Sequence, residues 1–300
     1  MIKSNRDILV STQVVAQISN PMLEAPGGFS GGYASTWDGR VKLGIGPGGI
    51  KYNVKIGSPC FGWPETESLE PEVALKEVQG IPATPFQSPG SVATTINTVT
   101  CIGNEGTLIS GDAKGEKGVI VGKSDDHILT HFADETVNKL SIGDKVRIRA
   151  EGIGLTIDGF DGNLYNMSPN FLESLKLKLE NDKLVFPVAK IIPAYAMGSG
   201  SGGSEAQRGN FCIQSCPPEL VKELGIGDLK MGDIVALNDI LMSYGKSYYR
   251  KAITVGVIAT GASDNAGHGP GVLAIAASQK GMIAPVLDPK ANIAKYLKLV

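Results

Sequence analysis

The chain has 300 residues, of which 42% are hydrophobic and 19% charged, with a net charge of −2. That is apolar enough for a sizeable core. Scattered lysines and arginines leave no electrostatic footprint for nucleic acid. No apolar run reaches the ~18 residues that cross a bilayer, and the polar N-terminus MIKSNRDILVSTQVV lacks an export pattern. These features predict a cytoplasmic protein with neither a membrane nor a nucleic acid as partner.

Length allows two domains. With 39 glycines and 17 prolines among many Val, Ile and Thr, the composition predicts short strands joined by tight turns. Residues 8–19 read as a strand stopped by Asn20-Pro21. Gly44, Gly46 and Gly49 match G-x-G-x-x-G, but the next residues alternate like a strand. A dinucleotide fingerprint needs a helix there, so the stretch is read as turns between hairpins, including Trp37-Asp38-Gly39. Residues 71–78 suggest a short helix with proline in its first turn. From residue 91 the chain reads as β, with the run 91–103 first and a brief helical insert at 133–140. Residues 145–150 form a strand with Val146 and Ile148 on one face and Lys145, Arg147 and Arg149 on the other.

A boundary falls within 157–166, giving modules 1–160 and 161–300. Ser168 caps a helix opened by Pro169, with Leu172, Leu175 and Leu179 on one face. Residues 184–192 form a strand whose Pro187 demands an edge or bulge. Residues 217–224 form a short helix closed by Gly225, and 288–297 a last helix. Gly143-Asp144 and Gly232-Asp233 each turn into a strand, where aspartate normally bonds its own backbone. The fold class is therefore β-rich α+β: an N-terminal small β-barrel or curled sheet, and a C-terminal mixed sheet with a few short helices.

Function is concentrated in residues 251–278. Two apolar, β-branched runs, 253–260 and 271–277, flank a loop holding Asp264, Asn265 and His268. The other glycine-rich loop, GSGSGG at 198–203, is either a flexible segment or a nest of backbone N–H groups for an anion, with Arg208 nearby. The chain has three histidines. His127 and His131 share one face of a strand, and with His268 they could hold zinc or another divalent metal. Ser201 lies in a Gly-flanked loop, and Cys212 with His268 as base is a further possibility that nothing in the sequence joins. The four cysteines, Cys60, Cys101, Cys212 and Cys216, read as buried reduced thiols.

Several strings occur in a telling order: GSGSGG after Pro-Ala-Tyr-Ala-Met, Gly-Asp-Ile-Val-Ala-Leu-x-Asp, Ile-Thr-Val-Gly-Val-Ile and Gly-His-Gly-Pro-Gly-Val. Together with Gly-Asp-x-x-Gly-x-x-Gly at 111–118 and Gly-Asp-Lys-Val at 143–146, they resemble the bacterial and archaeal family named domain of unknown function 4438. The resemblance implies a β-rich protein of two modules and no established activity. A fainter likeness, in strand order and Gly-Asp turns, is to the acetamidase and formamidase hydrolases, at fold level only.

Two functions are expected from these residues. One is a small-molecule pocket lined by Gly198, Ser199, Gly200, Ser201, Gly202, Arg208, Asp239, Asp264 and His268. It would act as a metal-assisted hydrolase of a small polar or amide substrate, with His268 as ligand or base and Asp264 or Asp239 orienting it. The other is a non-catalytic ligand-binding or structural homo-oligomer, which would cover exposed strand edges.

Overall fold

The computed structural model describes residues 2–24, 34–42, 44–63, 68–78, 94–124, 126–200, 206–207, 209–243 and 245–299. In chain order the first half contains β1 (Thr12–Ile18), β2 (Leu23–Glu24), β3 (Ala34–Ser35), β4 (Val41–Lys42), β5 (Gly44–Ile45) and β6 (Val73–Glu77). It continues with α1 (Thr94–Val99), β7 (Glu105–Leu108), β8 (Lys117–Ser124), β9 (His127–His131), α2 (Asp134–Val137) and β10 (Lys145–Ala150). The second half contains β11 (Asn163–Leu164), α3 (Pro169–Leu175), β12 (Lys178–Glu180), β13 (Lys183–Val188), β14 (Lys190–Pro193) and β15 (Phe211–Cys212). Then follow α4 (Pro218–Leu224), β16 (Ile234–Leu241), β17 (Ser247–Ile258), β18 (Gly271–Ser278), β19 (Ile283–Leu287) and α5 (Ile293–Leu297).

The N-terminal half is a closed barrel in the order β1-β10-β7-β8-β9-β6. β10 shows how sequence makes the wall: Val146, Ile148 and Ala150 are buried, while Lys145, Arg147 and Arg149 face water. Antiparallel pairing from Thr12↔Ala150 to Gln17↔Lys145 aligns it with β1. The expected helix at 71–78 is instead β6, which pairs with both β1 and β9 and closes the barrel. Burial of Val73, Ala74 and Leu75 outweighs any local helical preference, and closure leaves no open edge. The first part of the 91–103 run is the helix α1 rather than a strand. Its Ile96 packs into the barrel core with Ile18, Leu108 and Val146, which outweighs the weak strand preference of its β-branched residues.

The C-terminal half is built on a sheet of order β11-β18-β17-β16-β14, with β15 also on β18. All eight residues of β18 are buried, the pattern of a strand covered on both faces. A second sheet has the order β12-β13-β19. Pro187 lies beyond the reach of β12, where β13 has only β19 beside it, as a proline in a strand requires. The Ser168 Oγ accepts from Phe171 N at 3.1 Å and opens α3. Leu179 lies outside that helix, on β12. α4 ends on left-handed Gly225. The last helix is shorter than expected, because Asn292 caps it and the residues before the cap form a turn in which Ala291 N donates to Asp288 O.

The two Gly-Asp turns are one device used twice. Asp144 Oδ2 accepts from Ser141 N, and Asp233 Oδ2 from Lys230 N, both at 2.8 Å. Each carboxylate closes a four-residue turn that launches a strand.

The halves share a core. Val121 and Leu129 on the outer face of the barrel belong to the same apolar cluster as Met231, Ala259 and Leu273. Residues 46–63 and 68–72 strap them together. Gly57 N donates to Met231 O, Cys60 N to Leu229 O, and Gly261 N to Leu69 O. No helix among the described residues is long and apolar enough to cross a membrane.

Candidate functional site

The loop between β17 and β18 is stitched to the segment around β15 by backbone. Ser215 N donates to His268 O at 3.0 Å and Ile213 N to Pro270 O at 2.9 Å. Ser215 Oγ donates to Ser263 O at 2.6 Å. The approach is so close that a Cβ at Gly269 would stand 1.9 Å from Ile213 O. Gly198 is held as tightly, with its Cβ position 2.0 Å from Gly267 O. Glycine here serves backbone contact.

This stitching places Cys212 Sγ 4.0 Å from His268 Nδ1, joining two residues 56 positions apart. A third group completes the cluster. Lys246 Nζ donates to Gly198 O and sits 5.1 Å from the centre of the Phe211 ring. Burial lowers the Lys246 pKa, and the charge on Cys212 opposes that shift. Asn210 lies two residues before Cys212 in an extended segment, hence on the same face. Its buried Nδ2 has no hydrogen-bond partner among the described residues. A thiol 4.0 Å from an imidazole and within the field of an ammonium is in surroundings that favour a thiolate. The other cysteines differ. Burial pushes the Cys60 thiol well above its ordinary range and Cys101 to about 11, and Cys216 Sγ donates to Ser263 O at 3.2 Å.

The remaining expected site residues divide. Gly198, Ser199 and Gly200 do reach the Cys212 cluster. However, Gly198 N donates to Cys212 O and Ser199 N to Gly267 O, so those two N–H groups are already engaged. Ser201, Gly202 and Arg208 lie outside the described residues. Asp264 accepts from Trp37 N through its carbonyl at 2.8 Å and lines a small depression of about 90 Å³ with Cys60, Trp63 and Ser215. Asp239 occupies a left-handed position (φ 58°) at the β16 bulge. Its Oδ1 accepts from Lys251 N at 2.6 Å, which fixes the bulge.

His127 and His131 face two buried glutamates that sequence reasoning did not single out. His127 Nδ1 is 3.0 Å from Glu70 Oε2, and His131 Nδ1 is 3.1 Å from Glu72 Oε1. Gly48 N donates to Glu70 at 2.7 Å and Ile56 N to Glu72 at 2.9 Å. These pairs rivet the strap to β9. Among the described residues no three His, Cys, Asp or Glu side chains come together to hold a metal ion, so His127, His131 and His268 do not form one ligand set there.

Lys123 also escaped the sequence reading. Its side chain is fully buried at the end of β8, and its Nζ donates to Asn97 O, to Asn166 Oδ1 at 2.7 Å and to Gln207 O at 3.0 Å. Desolvation lowers its pKa to about 8, with Cys101 pulling the other way. A lysine inside the apolar run VIVGK was the available signal.

Family models for the domain of unknown function DUF4438 match residues 33–173 with the N-terminal model and 174–297 with the C-terminal one. The chain belongs to this family. A solved crystal structure, that of TM1086, is 36% identical, with 98% of this chain and 99% of that chain covered at a TM-score of 0.87. No curated protein matches. The DUF4438 chain described here therefore shares its barrel-plus-sheet architecture with a solved relative.

Proposed function

We propose that the DUF4438 chain is a small-molecule hydrolase whose nucleophile is Cys212, acting on a small amide or ester. The observation that carries the reading is the 4.0 Å approach of Cys212 Sγ to His268 Nδ1, beside Lys246. His268 accepts the thiol proton, and sulfur attacks the substrate carbonyl carbon. The carbon–nitrogen bond breaks, and His268 returns the proton to the departing amine. Water then splits the thioester, releasing a carboxylic acid and restoring the thiol. Asn210 Nδ2 is the residue type and placement that an oxyanion donor needs.

The test is turnover of p-nitrophenyl acetate and a panel of small amides by native protein, Cys212→Ala and His268→Ala. Loss of the base is expected to cost roughly 10²–10⁴-fold, with melting temperatures nearly unchanged. Full turnover by Cys212→Ala would remove the thiol reading. Metal assistance finds no donor set among the described residues. A stoichiometric transition metal in untagged protein would replace the thiol mechanism with a metal-assisted one.

A second reading is a non-catalytic ligand-binding or homo-oligomeric protein. It draws on the 3% exposure of Cys212 and on exposed Val286 and Leu287, which lie on the edge strand β19. It predicts no turnover, and association on light scattering that Leu287→Lys weakens.

A further inference from the structure

We infer that Lys246 reads an anionic group on the substrate, so that the site takes small acyl compounds carrying a carboxylate. The inference rests on the reading of Cys212 as nucleophile and names its substrate class.

The argument starts from how this chain treats its lysines. Lys190 pairs with Asp228 at 3.0 Å, Lys117 with Glu105 at 3.0 Å, and Lys55 with Asp134 at 3.2 Å. Lys123 has no carboxylate, but its three N–H donors meet three acceptors. Lys246 matches neither pattern. It is half-buried, donates to one acceptor, Gly198 O, and lies over the Phe211 ring. No carboxylate pairs with it among the described residues. An ammonium has three donors, so two remain for a ligand. A partly desolvated cation without an anion is costly to hold. A bound carboxylate relieves that cost, and the same ion pair would anchor the substrate at the Phe211–Cys212 segment that carries the thiol. One ammonium on a flexible stem suits a carboxylate as a point charge, whereas a planar fork would need arginine.

Two alkylating reagents of equal size and opposite character test this. Iodoacetate is an anion and iodoacetamide is neutral. With both, a carbon–sulfur bond forms and iodide departs. Native full-length protein is treated with each at neutral pH, and modification of Cys212 is followed by peptide mass spectrometry. The expected result is that iodoacetate alkylates Cys212 roughly tenfold faster, the factor that about 1.4 kcal/mol supplies, with a rate that saturates in reagent. Lys246→Gln is expected to bring the iodoacetate-to-iodoacetamide ratio to about one, whatever its absolute rates, and Lys246→Arg to retain the preference. Equal rates in native protein overturn the assignment of Lys246 while leaving Cys212 as nucleophile. No reaction of Cys212 with either reagent removes the nucleophile and this inference together. The ratio in native protein decides the matter even where Lys246→Gln folds poorly.

Discussion

Replacing Lys123 with methionine separates the two opposing effects of a buried ammonium. The side chain is wholly buried and its Nζ holds Asn97 O, Asn166 Oδ1 and Gln207 O, so methionine keeps most of the volume and leaves three acceptors without their donor. At roughly 1 kcal/mol net per hydrogen bond, the variant should be about 3 kcal/mol less stable at neutral pH. The second effect has a pH signature. Burial lowers the Lys123 pKa from 10.5 to about 8. Between these values the unfolded chain binds more protons than the folded one, so stability rises with pH across that window. At about 1.36 kcal/mol per unit the rise amounts to about 3 kcal/mol. The variant lacks this group and therefore lacks the rise, so the native advantage should widen to about 6 kcal/mol near the top of the window. Urea unfolding of both proteins, followed by far-UV circular dichroism at neutral pH and near the upper pKa, measures the gap. Other titrating groups cancel in the difference. A gap that stays constant would show that Lys123 titrates alike folded and unfolded. A gap that narrows would show that the ammonium is stabilised rather than penalised.

Gly269→Ala should lower stability by more than about 3 kcal/mol or prevent folding, because its Cβ would stand 1.9 Å from Ile213 O. Gly227→Ala, whose Cβ would meet Val221 at an ordinary 3.7 Å, should change the melting temperature little. A normal melt for Gly269→Ala would contradict the stitched geometry around His268. His131→Leu should cost about 1–3 kcal/mol by leaving buried Glu72 short of a partner. Adding Glu72→Gln should recover part of the loss in a double-mutant cycle. Strict additivity would mean that the pair is not coupled.

The site shows where sequence reasoning stops. His268 and the glycines around it were legible because a loop dense in glycine between two apolar strands has few other purposes. Cys212 was visible only as one cysteine among four, and its place beside His268 depends on a pairing across 56 positions. Asp239 looked like a pocket carboxylate, yet it serves its own bulge. Lys246 carries no local mark at all, since its meaning lies in having no carboxylate paired with it among the described residues.

Local chemistry settled much of the architecture in advance. Alternation in β10, the Ser168 cap, the Gly225 stop and the Gly-Asp turns each depend on residues within one element or turn, so periodicity and hydrogen-bonding capacity suffice to read them. Tertiary structure decided what local signals left balanced. Residues 73–77 became a strand because a barrel needed closing between β1 and β9, and residues 94–99 became a helix because Ile96 could fill the barrel core. Glu70, Glu72 and Lys123 are ordinary polar residues in the sequence and buried ones in the fold. The physical reason is common to all of these: burial and long-range hydrogen bonds are worth more than the fractions of a kilocalorie by which neighbouring residues prefer helix, strand or surface.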